Sequence, residues 1–108
     1  MSKLIKLVQG DNRPYIRLTL TDVDKEPINL TDATVRVYFR EAGAETILST
    51  LVCSIVGDPT DGVVTFNFPG NTLNVEQGIY EGEVEIDFGG ETQTVYDILR
   101  FNVRDQFA

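Results

Sequence analysis

Residues 8–40 read VQGDNRPYIRLTLTDVDKEPINLTDATVRVYFR, and the alternation inside this stretch decides the fold. Ile16, Leu18 and Leu20 recur at every second position, and so do Val35, Val37 and Phe39. A period of two places each set on one face of a strand, with the intervening polar residues on the other. Between the two runs lie Asp22, Asp24, Pro27, Asn29 and Asp32. These residues favour turns, because Asp and Asn hydrogen-bond their own backbone and Pro presets φ. Strand, polar turn and strand follow.

Outward from this block the same rhythm continues. Residues 3–8 form a short alternating run. Residues 46–55 are rich in Thr, Val and Ile and end at Gly57-Asp58-Pro59-Thr60-Asp61-Gly62, a strong turn cluster. Val64, Phe66 and Phe68 share one face of the next run. After Pro69-Gly70-Asn71 comes a connection in which Leu73 and Val75 are placed to pin the loop to the core. Residues 79–88 are the cleanest strand, with Tyr80, Val84, Ile86 and Phe88 alternating against Glu81, Glu83, Glu85 and Asp87. Gly89-Gly90 offers a hairpin, since glycine supplies the positive φ of primed turns. Residues 92–104 return with Leu99, Phe101 and Val103 in one register and Arg100 and Arg104 in the other. No segment carries a capped helical period. The pattern predicts a single all-β domain over residues 1–108, an immunoglobulin-like or related β-sandwich of seven to eight short antiparallel strands. Its expected core includes Ile16, Leu18, Val35, Val37, Phe39, Phe66, Phe68, Val84, Ile86 and Phe101, with Tyr80 and Phe88 also in phase.

Composition narrows the chemistry. The chain has 108 residues and no histidine, so a Ser-His-Asp or Cys-His nucleophile cannot be assembled. Cys53 is the lone cysteine, which excludes an internal disulfide and a His- or Cys-based zinc site. It falls in phase with Leu51 and Ile55, as a buried thiol would. No apolar stretch reaches the ~20 residues of a membrane span, and the opening MSKLIKLV lacks the apolar region of a secretory signal. The net charge of −8 is divided unevenly. Residues 1–40 hold seven Lys/Arg against five acids, residues 41–99 hold eleven acids and no base, and residues 100–108 hold Arg100 and Arg104 against Asp105. Nucleic acid is a poor partner for such a chain, because phosphate tracking needs clustered cations.

Glu81, Glu83, Glu85 and Asp87 stand two apart and so share one face of one strand. Either that face is simply solvated, or it is a charged docking surface. A calcium site requires oxygens converging from a curved loop, and four acids along a straight strand do not converge. The fragments at Asp22-Val23-Asp24 and Asp58-Pro59-Thr60-Asp61-Gly62 lack the spacing and closing Glu of an EF-hand loop and read as turns. No cofactor, no metal and no catalytic residue is expected. The segment 1–8, with Lys3 and Lys6, is either the first strand of its own sheet or a strand donated to a neighbour, where its lysines would meet the acidic row of an adjacent copy.

Gln9-Gly10-Asp11, Leu18-Thr19-Leu20-Thr21-Asp22, Pro27-Ile28-Asn29-Leu30-Thr31 and Ala33-Thr34-Val35 together resemble the opening of a family of phage structural domains. That family is typified by the N-terminal domain of the upper baseplate protein of lactococcal tailed phages. Gly62-Val63-Val64-Thr65-Phe66 and Gly78-Ile79-Tyr80-Glu81-Gly82-Glu83-Val84 resemble its later stretches. Two departures stand out: Glu26 replaces a turn glycine, and Asp32 occupies a position where the family has Gly, a change that a left-handed Asp accommodates. The resemblance implies a β-sandwich virion protein, made in the host cytoplasm, which docks without enzymatic activity on the tail or baseplate. It further implies that its partners are other virion proteins, copies of itself among them. A capsid decoration protein is the alternative, and a small carboxylate-based hydrolase a remote one.

Overall fold

The computed structural model describes residues 4–107. Among them are nine strands: β1 (Leu4–Val8), β2 (Ile16–Thr19), β3 (Thr34–Glu41), β4 (Ser49–Val52), β5 (Ser54–Ile55), β6 (Val63–Phe66), β7 (Gly78–Asp87), β8 (Thr92–Thr94) and β9 (Leu99–Arg104). One 3-10 turn, Pro59–Asp61, is the only helical element among the described residues. A six-stranded sheet runs in the order β1-β9-β7-β3-β4, with β8 also beside β7. Against it packs a three-stranded sheet, β2-β6-β5. The fold is the expected all-β sandwich.

The structure has nine strands where seven to eight were expected, because the runs 46–55 and 92–104 are each divided. Residues 46–55 do not form one strand. The chain pairs with β3 through β4 and then passes at Cys53 to the other sheet, where β5 pairs with β6. The Cys53 amide still donates to the Val35 carbonyl, 2.9 Å away, so the crossover stays tied to the sheet it leaves. Residues 92–104 are likewise split, β8 pairing with β7 at Glu85 to Asp87 and β9 pairing with β7 at Gly78 to Gly82. Every pairing among the described strands is antiparallel except that of β1 with β9, which is parallel.

The core lies between the sheets. Val35, Val37 and Phe39 of β3, Val84 and Ile86 of β7, Phe101 and Val103 of β9, and Val64 and Phe66 of β6 are all buried, as is Phe68 just beyond β6. Phe39 sits at the centre of the rings, 5.0 Å from Phe68, 5.1 Å from Tyr80 and 5.5 Å from Phe101. Edge-to-face geometry with Phe68 and Phe101 suits the ring quadrupoles. Tyr80 is buried with its hydroxyl donating to the Glu76 carbonyl at 2.6 Å, so its polar end is satisfied. Leu73 is buried and Val75 packs against the core, as the sequence indicated for that loop.

Three expected core positions are corrected. Ile16 and Leu18 are only half-buried, because β2 is the rim strand of the smaller sheet and has a neighbour on one side only. Phe88 is 37 % exposed, since β7 ends at Asp87 and Phe88 already belongs to the hairpin, its amide donating to the Glu91 carbonyl. Gly89 and Gly90 both take positive φ there. Asp32 adopts φ 60°, the left-handed conformation anticipated for it, whereas in the preceding turn Lys25 rather than Glu26 is the left-handed residue.

Candidate interaction surface

Alternation along β7 sends Tyr80, Val84 and Ile86 inward and Glu81, Glu83, Glu85 and Asp87 to the outer face of the large sheet. These four carboxylates do share a face, but they do not stand alone on it. The strands on either side, β3 and β9, present Arg36, Arg40 and Arg100 in register with them. Glu81 lies between two cations: its Oε1 accepts from Arg40 Nη2 at 3.2 Å and Nε at 3.3 Å, and its Oε2 accepts from Arg100 Nη1 at 3.4 Å. Arg36 Nη1 approaches Asp87 Oδ2 at 3.5 Å and Glu85 Oε1 at 3.9 Å. The Tyr38 hydroxyl donates to Glu85 Oε1 at 2.8 Å. The Glu85 carboxylate pushes the Tyr38 phenol above its ordinary value, first through that hydrogen bond and then with the help of burial.

Glu83 differs from its neighbours. Its register partner on β3 is Tyr38, and on the other side it faces the gap between the end of the β9 pairing at Gly82 and the start of the β8 pairing at Glu85. It is exposed, with no arginine opposite. The row therefore works mainly as an internal cross-strand charge ladder. Such pairs are individually worth ~0–1 kcal/mol when exposed, and the network around Glu81 belongs at the upper end.

Lys3 lies outside the described residues. Lys6 is exposed on β1, opposite Asn102 of β9. Leu7 is buried and β1 pairs with β9 along its whole length, so this segment is a strand of its own sheet rather than one held out for a neighbour. Lys6 and the acidic row thus occupy one sheet, two strands apart. What the sequence reading missed is the set of arginines that answers the acids. The uneven charge division was the available signal: a strand from the base-free middle of the chain is flanked by strands from its base-bearing ends.

No group of three or more His, Cys, Asp or Glu suited to a metal exists among the described residues. The Asp58 carboxylate accepts from the Thr60 amide at 3.0 Å and its hydroxyl at 2.8 Å, and these bonds hold it below its ordinary value. Asp22 Oδ1 accepts from the Asp24 and Glu26 amides. Both aspartates are spent on turns, the role their spacing suggested. Burial pushes the Cys53 thiol up to about 12, so it stays protonated and unreactive at neutral pH. A shallow hollow of about 40 Å³ lies over the outer face, lined by Tyr38, Arg40, Ile47, Glu81, Gly82, Glu83 and Ile98.

The profile of the BppU N-terminal domain family matches residues 1–107. Among solved structures, the N-terminal domain of phage TP901-1 ORF48 superposes with a TM-score of 0.61 at 15 % identity, covering 94 % of this chain and 85 % of that one. At that identity the likeness speaks to the fold. No curated protein matches the chain.

Proposed function

Because the chain belongs to the BppU N-terminal domain family, we propose that it is a single-domain, non-enzymatic adaptor docked on a phage tail or baseplate. A structural role in that assembly follows from the family, and the match over residues 1–107 is the observation that carries it. The adaptor reading goes further and rests on the surface. The outer face of the larger sheet is mostly charge-compensated and carries only a shallow hollow, suited to contact with another protein and poorly suited to enclosing a small molecule. Hydrogen bonds from backbone amides hold the Asp58 and Asp87 carboxyls below their ordinary value. A carboxyl acting as general acid at neutral pH needs the opposite shift.

On this reading the protein resides in the virion, and its partners are other virion proteins, further copies of itself included. Gold-labelled antibody against the domain, applied to purified particles, tests the assignment. Label at the tail tip is the expected result. Label spread over the head would favour the capsid decoration alternative, and absence of the protein from washed particles would end the structural reading.

A further inference from the structure

On the outer face of the large sheet four carboxylates, Glu81, Glu83, Glu85 and Asp87, meet three arginines, Arg36, Arg40 and Arg100. The other arginine of β9, Arg104, is engaged elsewhere, with the Phe107 ring and the Asp105 carbonyl. The row is therefore one cation short, and the shortfall has a place. Arg40 and Arg100 are both committed to Glu81, and Arg36 to Asp87 and Glu85. That leaves Glu83 without a hydrogen-bond or ion-pair partner for its side chain among the described residues. The ladder is also broken beside it. Between the pairings of Gly82 with Leu99 and of Glu85 with Thr94, residues 83 and 84 of β7 stand opposite residues 95–98, so the chain loops out. Break and missing cation coincide at the hollow. Glu83 lines it together with Ile98 from the looped-out segment, Ile47 from the β3–β4 connection and Tyr38 of β3.

The lining selects what can enter. About 40 Å³ admits the end of one side chain and little more. Two isoleucines and a tyrosine suit methylene groups, and the unpaired carboxylate suits a cation. Lysine joins the two properties, because its slender stem lies along apolar surface while its ammonium stays at the wet rim. The planar guanidinium of arginine is wider. A further copy of this chain is a poor donor. Lys25 stands in a turn with Asp22, Asp24 and Glu26, so its arrival would bring three carboxylates towards Glu83. Lys6 lies in the same sheet as the acidic row, so presenting it would set one row against another. We propose that the hollow is the socket for a lysine carried by a different protein of the particle, whose ammonium pairs with Glu83 and completes the cross-strand ladder. This rests on the adaptor reading and adds the chemistry of the partner's contact.

Carbodiimide treatment of washed particles tests it, since the reagent forms an amide only between a carboxylate and an amine already beside it. The linked peptides are identified by mass spectrometry. The expected result is Glu83 joined to a lysine of another virion protein. In particles grown with Glu83→Gln, that link is lost and the amount of domain retained after washing falls about tenfold. Glu91→Gln removes an exposed acid from the hairpin beyond β7 and is expected to keep both the link and the retention. Melting temperatures of the two purified variants, expected to match the parent, separate a lost contact from a lost fold. With the domain present on particles, three outcomes would each overturn the proposal and leave the adaptor reading standing: no lysine link at Glu83, a link only to a lysine of another copy, or undiminished retention of Glu83→Gln. Absence of the domain from washed particles would overturn both.

Discussion

Phe39 has no exposed surface and touches the rings of Phe68, Tyr80 and Phe101, which come from a loop and two different strands. Truncation to Ala removes the centre of that cluster, where the neighbours cannot collapse from three directions at once. A loss of ~3–5 kcal/mol is expected for Phe39→Ala, and a similar one for Phe101→Ala, measured by urea unfolding. Gly82 on β7 makes the converse case. A Cβ there would stand 2.9 Å from Phe101 Cε2 and 3.0 Å from Val37 Cγ1, so Gly82→Ala overpacks the same core and is expected to cost ~1–3 kcal/mol. The alternation made Phe39 and Phe101 legible as core, but it gave no hint that Gly82 is a gap filled by a neighbour's ring. A glycine within a strand names a close approach without naming what approaches. Titration adds a pH dependence at both ends of the scale. Asp58 and Asp87 titrate below the ordinary 3.8 in the folded chain, so their contribution is present above that value and is lost as pH falls through the lower, folded one. Tyr38 and Tyr80 titrate above 10.0, so theirs is present below 10.0 and is lost as pH rises through the higher one. Urea midpoints against pH are expected to fall at both extremes, with Tyr38→Phe softening the alkaline limb and Asp58→Ala the acid one.

At the scale of the strand, β7 is where sequence and structure agree most and also where they diverge. Its alternation places every side chain on the correct face. The four outward acids, taken alone, predict mutual repulsion and a gain in stability on neutralising them; with Arg36, Arg40 and Arg100 in register, that holds for Glu83 only. Glu83→Gln is expected to leave the melting temperature unchanged or slightly raised. Glu81→Lys, which sets a cation between Arg40 and Arg100, is expected to cost ~1 kcal/mol or somewhat more, read from the same unfolding curves. Pairing order is what a single sequence conceals, because alternation fixes which face a residue takes and says nothing of which strand lies beside it. The same limit governs β1, where alternation was compatible with a strand kept at home or one given away. With Leu7 buried and all five residues paired to β9, deletion of residues 1–7 is expected to destabilise the domain itself, visible as a lowered thermal midpoint by circular dichroism.

For the molecule as a whole, the sandwich depends on strands that meet across long stretches of chain. The small sheet joins β2 to β6, and the large one sets β3 beside β7. Folds of this kind close large loops before contacts repay the cost, so refolding on the millisecond-to-second scale, rather than the microsecond scale of helical bundles, is expected in stopped-flow measurements. The parallel β1–β9 pair carries this to its limit. Of the described strands, the one that leaves the ribosome earliest pairs only with the one that leaves last, Leu4 opposite Arg100. During synthesis β1 must wait, with Leu7 uncovered, until β9 has emerged, so the large sheet cannot close piecemeal behind the ribosome. A chain halted before Leu99 therefore lacks both the partner of β1 and the inner residues Phe101 and Val103. Such a fragment is expected to remain unfolded and to be cleared by proteases.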